Sequence, residues 1–199
     1  MNLWLSDIEL EGESVKLIPL QKEHRAALLR AASDGELWNL WYTSVPSEAT
    51  IDNYIAQAFE DKTKGIALPF VVIEKSSNTI VGSTRICNAV LNHRRLEIGY
   101  TWYAKTHQRT GVNTECKYLL LKHAFETLQC IAVEFRTHWH NQTSRNAIAR
   151  LGAKQDGVLR NHQVDTAGIL RDTVVFSITR EEWPVVKKSL TFKMRTIDR

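Results

Sequence analysis

A strand, a polar loop and a helix in direct succession, residues 96–128, constrain this chain more than any other stretch. Leu96-Glu97-Ile98-Gly99-Tyr100-Thr101-Trp102-Tyr103 is rich in β-branched and aromatic residues, which suit a pleated, half-buried strand. Lys105-Thr106-His107-Gln108-Arg109-Thr110-Gly111-Val112 follows as a polar loop. The pattern then predicts a helix from Asn113 to Leu128, because Leu121, Ala124, Phe125 and Leu128 recur at helical spacing and give it one side to pack on a sheet. Asn113 is the expected N-cap, with Glu115 in the first turn, near the positive end of the helix dipole.

A glycine-containing loop that feeds a helix N-terminus suits a phosphate. The first amides of a helix have no partners within it, and the dipole favours negative charge there. Gly111 would let the backbone come close to a ligand, and Arg109 and Lys105 would add cations. An ordinary strand-to-helix turn is the alternative reading of the same residues. Neither GxxxxGK[ST] nor GxGxxG is present.

Bulk properties narrow the class. At 199 residues one domain is expected, spanning 1–199, and the chain is long enough to bury a substantial interior. It is 43% hydrophobic and 24% charged, as soluble globular proteins are. No apolar run reaches the ~18 to 20 residues of a membrane span. The first seven residues lack a basic region followed by an apolar one, so a cytoplasmic location is expected and a membrane partner is not. Cys87, Cys116 and Cys130 are scattered and form no CxxC, which reads as reduced, packed thiols. The net charge of +4 is compatible with non-specific nucleic-acid binding and equally with an anionic cofactor.

The order of elements is read as β-α-α-β-β-β-α-β-α-β-β. Residues 1–12 form a lead-in. Ser14 to Pro19 is an edge strand, and His24 to Ala32 and Ala49 to Lys64 are helices. Pro69 to Glu74 and Thr79 to Ile86 form a hairpin, and Ile131 to Thr137 is a strand. Asn141 caps a helix ending at Leu151, with Gly152 as its C′ residue. Val158 to Val164 and Asp172 to Thr179 form a late hairpin around Asp165-Thr166-Ala167-Gly168, and the basic tail after Trp183-Pro184 is a candidate helix. Antiparallel hairpins around a central strand-helix-strand unit imply an α/β fold. Its expected centre is a mixed, mostly antiparallel sheet with helices on both faces.

Gln108-Arg109-Thr110-Gly111-Val112-Asn113 resembles the acyl-CoA pyrophosphate loop of GNAT N-acetyltransferases, written Q/R-x-x-G-x-G/A. Glu97-Ile98-Gly99-Tyr100, Thr114-Glu115 and the stretch Asn141-Gln142-Thr143-Ser144 through Leu151-Gly152-Ala153 resemble the RimJ/RimL-type branch, which acetylates protein N-termini and small amines. The resemblance covers about residues 13–183, which it marks as the core of the domain. Arg109 stands where a second glycine is common, and Asn113 replaces the last Gly/Ala.

The resemblance implies a GNAT fold and direct acetyl transfer from acetyl-CoA to a primary amine, a protein N-terminus or a small molecule. It implies that Gln108, Arg109, Thr110, Gly111, Val112, Asn113 and Thr114 hold the pyrophosphate, and that backbone groups of Trp102 and Tyr103 pair with the pantetheine arm between splayed strands. Asn141, a cap first, would also meet the pantetheine amide. Glu97 would be the general base, its pKa raised by burial; the competing reading pairs it structurally with Arg94, Arg95 or Arg85. Ser144 would serve the leaving thiolate, because Ile148 stands where many members carry a tyrosine. Trp38, Trp41 and Tyr42 would line the acceptor groove, or pack as core or lid. His138-Trp139-His140 reads as structural, and no metal is expected. No Ser-His-Asp order is present. A catalytically inert CoA-binding module, or a basic nucleic-acid-binding protein using Lys187, Lys188, Lys193 and Arg195, remains the alternative. A homodimer is compatible with the sequence.

Overall fold

The strand pairing that places the site is an eight-stranded sheet in the order β1-β2-β3-β4-β5-β6-β8-β7, in which all neighbours but one are antiparallel. The structure is a computed structural model, and it describes residues 4–165 and 167–197. Its strands are β1 (Leu10–Glu11), β2 (Val15–Pro19), β3 (Leu68–Glu74), β4 (Thr79–Val90), β5 (Arg95–Tyr103), β6 (Ala132–His138), β7 (Lys154–Val164) and β8 (Leu170–Thr179). The helices are α1 (Arg25–Ser33), α2 (Ile51–Thr63), α3 (Val112–Lys122), α4 (Gln142–Leu151) and α5 (Trp183–Ile197). A single π turn, His123–Thr127, continues α3. Among the described residues no helix is long and apolar enough to cross a membrane.

The expected order holds, with two additions. The lead-in, expected to be irregular, contains β1, which pairs with β2, and the candidate helix of the tail forms as α5. Of the predicted late turn, Thr166 lies outside the described residues; the Asp165 carboxylate accepts from the Ala167 and Ile169 nitrogens, each at 2.8 Å. Gly152 takes the left-handed conformation expected of a C′ residue (φ 103°).

Helices cover both faces because the strands alternate. Leu96 and Ile98 of β5, Val133 and Phe135 of β6, and Phe70 and Val72 of β3 face one core, with Leu120, Leu121, Ala124 and Phe125 of the α3 segment and Leu151 of α4. Val71, Trp102 and Ala104 face the other, under Leu28 and Ala32 of α1 and Ile51, Ile55 and Ala58 of α2. Each fully buried aliphatic or aromatic side chain contributes about 1.5 to 3 kcal/mol by leaving water. The C-terminal helix fixes the far end of α3. Trp183 stacks on Phe125 with ring centroids 5.4 Å apart, and its Nε1 donates to Glu126 Oε1 at 2.9 Å.

Candidate active site

A cleft opens where the one parallel ladder stops. β5 and β6 pair over three positions only, Arg95 with Ala132, Leu96 with Val133, and Glu97 with Glu134. Beyond them β6 stays in register with β8 as far as His138, whereas β5 follows β4. The divergence has a local cause. Between the pairs Ser83–Trp102 and Arg85–Gly99, β4 supplies only Thr84 against Tyr100 and Thr101 of β5. The extra residue is a bulge, with Tyr100 at φ 51°, and a bulge bends the strand that carries it. The flank of β5 from Ile98 to Tyr103, which contains Trp102 and Tyr103, therefore borders the cleft.

The loop after β5 is braced from outside. The Asp34 carboxylate, just past α1, accepts from the Thr106 nitrogen at 3.0 Å and its hydroxyl at 2.6 Å, and these bonds hold its pKa below the usual range. The Gln108 amide donates to Tyr103 O at 3.0 Å, and the Thr110 hydroxyl donates to His107 O at 2.8 Å. Thr110 Oγ1 in turn accepts from the Val112 nitrogen at 3.3 Å. Among the described residues, the peptide nitrogens of Arg109, Thr110, Gly111, Asn113 and Thr114 meet no protein acceptor. They form an open anion cradle at the mouth of α3.

One expectation about this loop is corrected. The helix starts one residue early, with Gly111 in the cap position and Asn113 as its second residue, so Asn113 is not the cap. Gly111 has ordinary helical angles (φ −65°, ψ −23°), while Arg109 carries the left-handed backbone (φ 62°). The loop thus places its left-handed residue at Arg109, two positions before the glycine. Glu115 lies in the first turns of α3, as expected, and accepts from the backbone nitrogens of Glu13 and Ser14, tying β2 to this helix.

Glu97 sits at the apex of the cleft, on the last parallel rung, and is 7% exposed. Its partners are not Arg94, Arg95 or Arg85. Asn88 Nδ2 donates to its Oε2 at 2.8 Å, and Arg136 Nε lies 3.5 Å from the same oxygen. Arg136 also bridges to Glu134 at 3.0 Å, and Arg95 pairs with the other Glu134 oxygen. Burial pushes the Glu97 carboxyl above its ordinary range; Asn88 and Arg136 pull against it, and Glu134 adds to the rise. Gly99 makes room for this carboxylate: a Cβ there would lie 3.0 Å from Glu97 Oε1 and 3.3 Å from Cys87 Sγ.

The aromatic trio divides. Trp38 packs inward on the α1/α2 core. Trp41, 65% exposed, sets its edge on His138 at 5.0 Å between centroids and meets Tyr42 at 5.5 Å. Trp41 and Tyr42 therefore stand at the β6 end of the cleft. His138 Nδ1 accepts from the His140 nitrogen at 3.0 Å, and burial lowers its pKa. Among the described residues no group of three His, Cys, Asp or Glu is placed to hold a metal. On the α2 side a cavity of about 270 Å³ is lined by Gln57, Asp61, Asn88 and Tyr100, so Asn88 joins it to Glu97. Beside it the Arg85 guanidinium lies between the Tyr54 and Tyr100 rings, at 4.4 and 4.3 Å from their centroids.

β6 leads into α4, which brings Asn141 and Ser144 to the end of the cleft wall. Asn141 Oδ1 accepts from the Ser144 nitrogen at 3.0 Å, the predicted cap, and the half-buried Ser144 hydroxyl makes no hydrogen bond among the described residues. Asn88 and Arg136 are the site residues missed by sequence reasoning. Arg136 left a signal: as Glu134-Phe135-Arg136 in a strand, it must share a face with Glu134.

Comparisons with known proteins agree with this geometry. A family model described as "Acetyltransferase (GNAT) domain" matches residues 14–154. The chain is 30% identical over 105 residues to "Putative ribosomal N-acetyltransferase YdaF" of Bacillus subtilis, a match spanning 53% of this chain and 56% of that relative's length. It superimposes on a GCN5-related N-acetyltransferase from Brucella melitensis with a TM-score of 0.85 at 28% identity, covering 96% of this chain and 86% of the other. Mycobacterium smegmatis RimJ, solved in complex with CoA-disulfide, shares the fold at a TM-score of 0.75 and 24% identity, over 90% of this chain and 88% of that one.

Proposed function

The chain belongs to the GNAT acetyltransferase family, and on that footing we propose that it is a single-domain, cytoplasmic N-acetyltransferase of the RimJ/RimL-type branch. It moves the acetyl group of acetyl-CoA directly to a primary amine, either a protein N-terminus or a small-molecule amine. What supports the reading most is one juxtaposition: the open nitrogens between Arg109 and Thr114 follow directly on the strand whose flank is left unpaired by β6 beyond Glu97.

In this reading the diphosphate lies on the open nitrogens of Arg109, Thr110, Gly111, Asn113 and Thr114, the Val112 nitrogen being engaged by Thr110 Oγ1, and the pantetheine arm runs along Trp102 and Tyr103 as an added strand. Asn141 meets the arm from the other side. The acceptor comes over Trp41 and Tyr42, while Trp38 supports that wall from within. Glu97, whose raised pKa makes it a useful base, takes the ammonium proton. The freed amine attacks the thioester carbonyl, the carbon–sulfur bond breaks, and the Ser144 hydroxyl can donate to the departing sulfur. Holding both reactants supplies several kcal/mol of the barrier, by the effective-molarity argument. No metal enters the scheme.

The basic tail gives little support to a nucleic-acid role. Two of its four cations are spent within the fold, Lys187 on Glu126 at 2.7 Å and Lys193 on Arg150 O. The test is thermal. CoA at a hundred times its Kd should stabilise the protein by about 2.7 kcal/mol, raising Tm by roughly 5 to 10 °C for a chain of this size. CoA release is then followed over a panel of amines and peptides. No Tm shift at millimolar CoA overturns the proposal; a shift without turnover on any amine points to an inert module.

A further inference from the structure

Lys117 is a buried ammonium that the scheme above leaves unused. It lies on the inward face of α3, 5% exposed, and among the described residues no carboxylate pairs with it. Its Nζ donates to Thr101 Oγ1 of β5, and to Thr84 Oγ1 of β4 at 3.4 Å. The two hydroxyls meet at 2.8 Å, and Thr101 Oγ1 lies 3.3 Å from Gly99 O. Thr101 is half-buried and immediately follows the bulged Tyr100, on the flank of β5 that β6 has left. The ammonium thus exchanges its water for two hydroxyl oxygens at the edge of the cleft. An unpaired buried cation costs several kcal/mol, and a hydrophobic side chain would fill the same place more cheaply.

Resting on the acetyl-CoA reading, we propose that Lys117 and Thr101 form the proton relay for the leaving group. As the thioester carbon–sulfur bond breaks and its electron pair moves to sulfur, Thr101 gives its hydroxyl proton to the thiolate. Lys117 gives one of its three protons to Thr101 Oγ1 and is left as a neutral amine, recovering a proton from solvent as CoA departs. Thr101 is the catalytic residue and Lys117 its positioning and proton-storing partner.

The surroundings fit a proton store. Burial holds the Lys117 pKa at about 8, beside the ~8.5 of an ordinary thiol. The ionisable groups acting on it are the thiols of Cys116, on its own helix, and Cys87, on β4, both pushed up by burial. Glu115, two residues before Lys117 on α3, is engaged with the Glu13 and Ser14 nitrogens. Arg85 is held on the α2 side, between Tyr54 and Tyr100.

The experiment compares wild type, Lys117→Met, Thr101→Val and Thr101→Ser in kcat against pH, with CoA affinity measured calorimetrically on the same samples. The wild-type kcat should fall as pH rises through about 8, because the relay needs the protonated lysine. Lys117→Met should lose that limb and about a hundredfold in kcat, the scale of general-acid catalysis, with CoA affinity within about twofold. Thr101→Val should lose as much, and Thr101→Ser, which keeps the hydroxyl, should stay within about threefold of wild type. The threonine pair decides the question if the methionine variant does not fold. A Lys117→Met protein that keeps both the limb and the rate overturns the relay alone, as do Thr101→Val and Thr101→Ser proteins of equal rate. A wild type that binds no CoA removes the coenzyme reading and the relay together.

Discussion

Glu97 and Arg136 face each other at the end of the parallel ladder, with Arg136 Nε 3.5 Å from Glu97 Oε2 and its Nη2 3.0 Å from Glu134. One guanidinium thus serves two carboxylates, and the buried one has the weaker share. This geometry sets the charge state of the group assigned as base.

Glu97→Gln should lower kcat at neutral pH by about 10² to 10⁴, the range for a positioned acid–base group, with CoA affinity unchanged. The stability sign follows from the raised pKa. The folded state binds this proton more tightly than the unfolded one, so Glu97 costs stability as pH rises from the ordinary carboxylate range through its folded pKa. The variant should therefore be no less stable than wild type at neutral pH. Equal turnover in the two proteins removes Glu97 as the base.

Arg136→Met takes away the cation that lowers the Glu97 pKa. The acid limb of kcat/KM, which reports the free enzyme, should move to higher pH, while the rate at alkaline pH stays close to wild type. A limb that stays in place, or moves down, contradicts the assignment.

Gly99→Ala puts a methyl group 3.0 Å from Glu97 Oε1 and 3.3 Å from Cys87 Sγ. Overpacking of this kind costs about 1 to 3 kcal/mol of stability, and the displaced carboxylate should cost kcat about tenfold with little change in CoA affinity. Denaturant unfolding and steady-state kinetics measure both. Unchanged kinetics would show that the carboxylate position does not matter.

Arg109→Gly relieves a left-handed backbone that costs a side chain about 1 to 2 kcal/mol, offset in part by the extra entropy glycine loses on folding. The melting temperature should be at or above wild type. If the guanidinium also meets the diphosphate, CoA affinity should fall about three- to tenfold and depend less on salt. A lower Tm would contradict the strain.

How far the sequence could be read depends on whether the signal was local. The hairpins, the strand-loop-helix unit and the Gly152 stop announced themselves through alternation, helical spacing and turn chemistry. The cap of α3 did not, because it depends on Gly111 taking helical angles, which no residue type dictates. The partner of Glu97 was sought among arginines on β4 and next to it on the chain; the true one comes from β6 and needs the register between two strands distant in sequence. Lys117 was readable in principle. It precedes Leu121 by four residues, so it belongs to the inward stripe of α3, where a lysine is out of place.

The family match ends at residue 154, yet β6 keeps its course through contacts made later in the chain. Its register with β8 runs over seven positions, against three with β5. A protein trimmed at that boundary would leave one bank of the cleft hanging from three rungs, and α3 without the Trp183 stack on Phe125. Recognition by pattern and competence to work would then part company: such a fragment would still be identifiable as a relative while lacking the buttress that keeps its channel open.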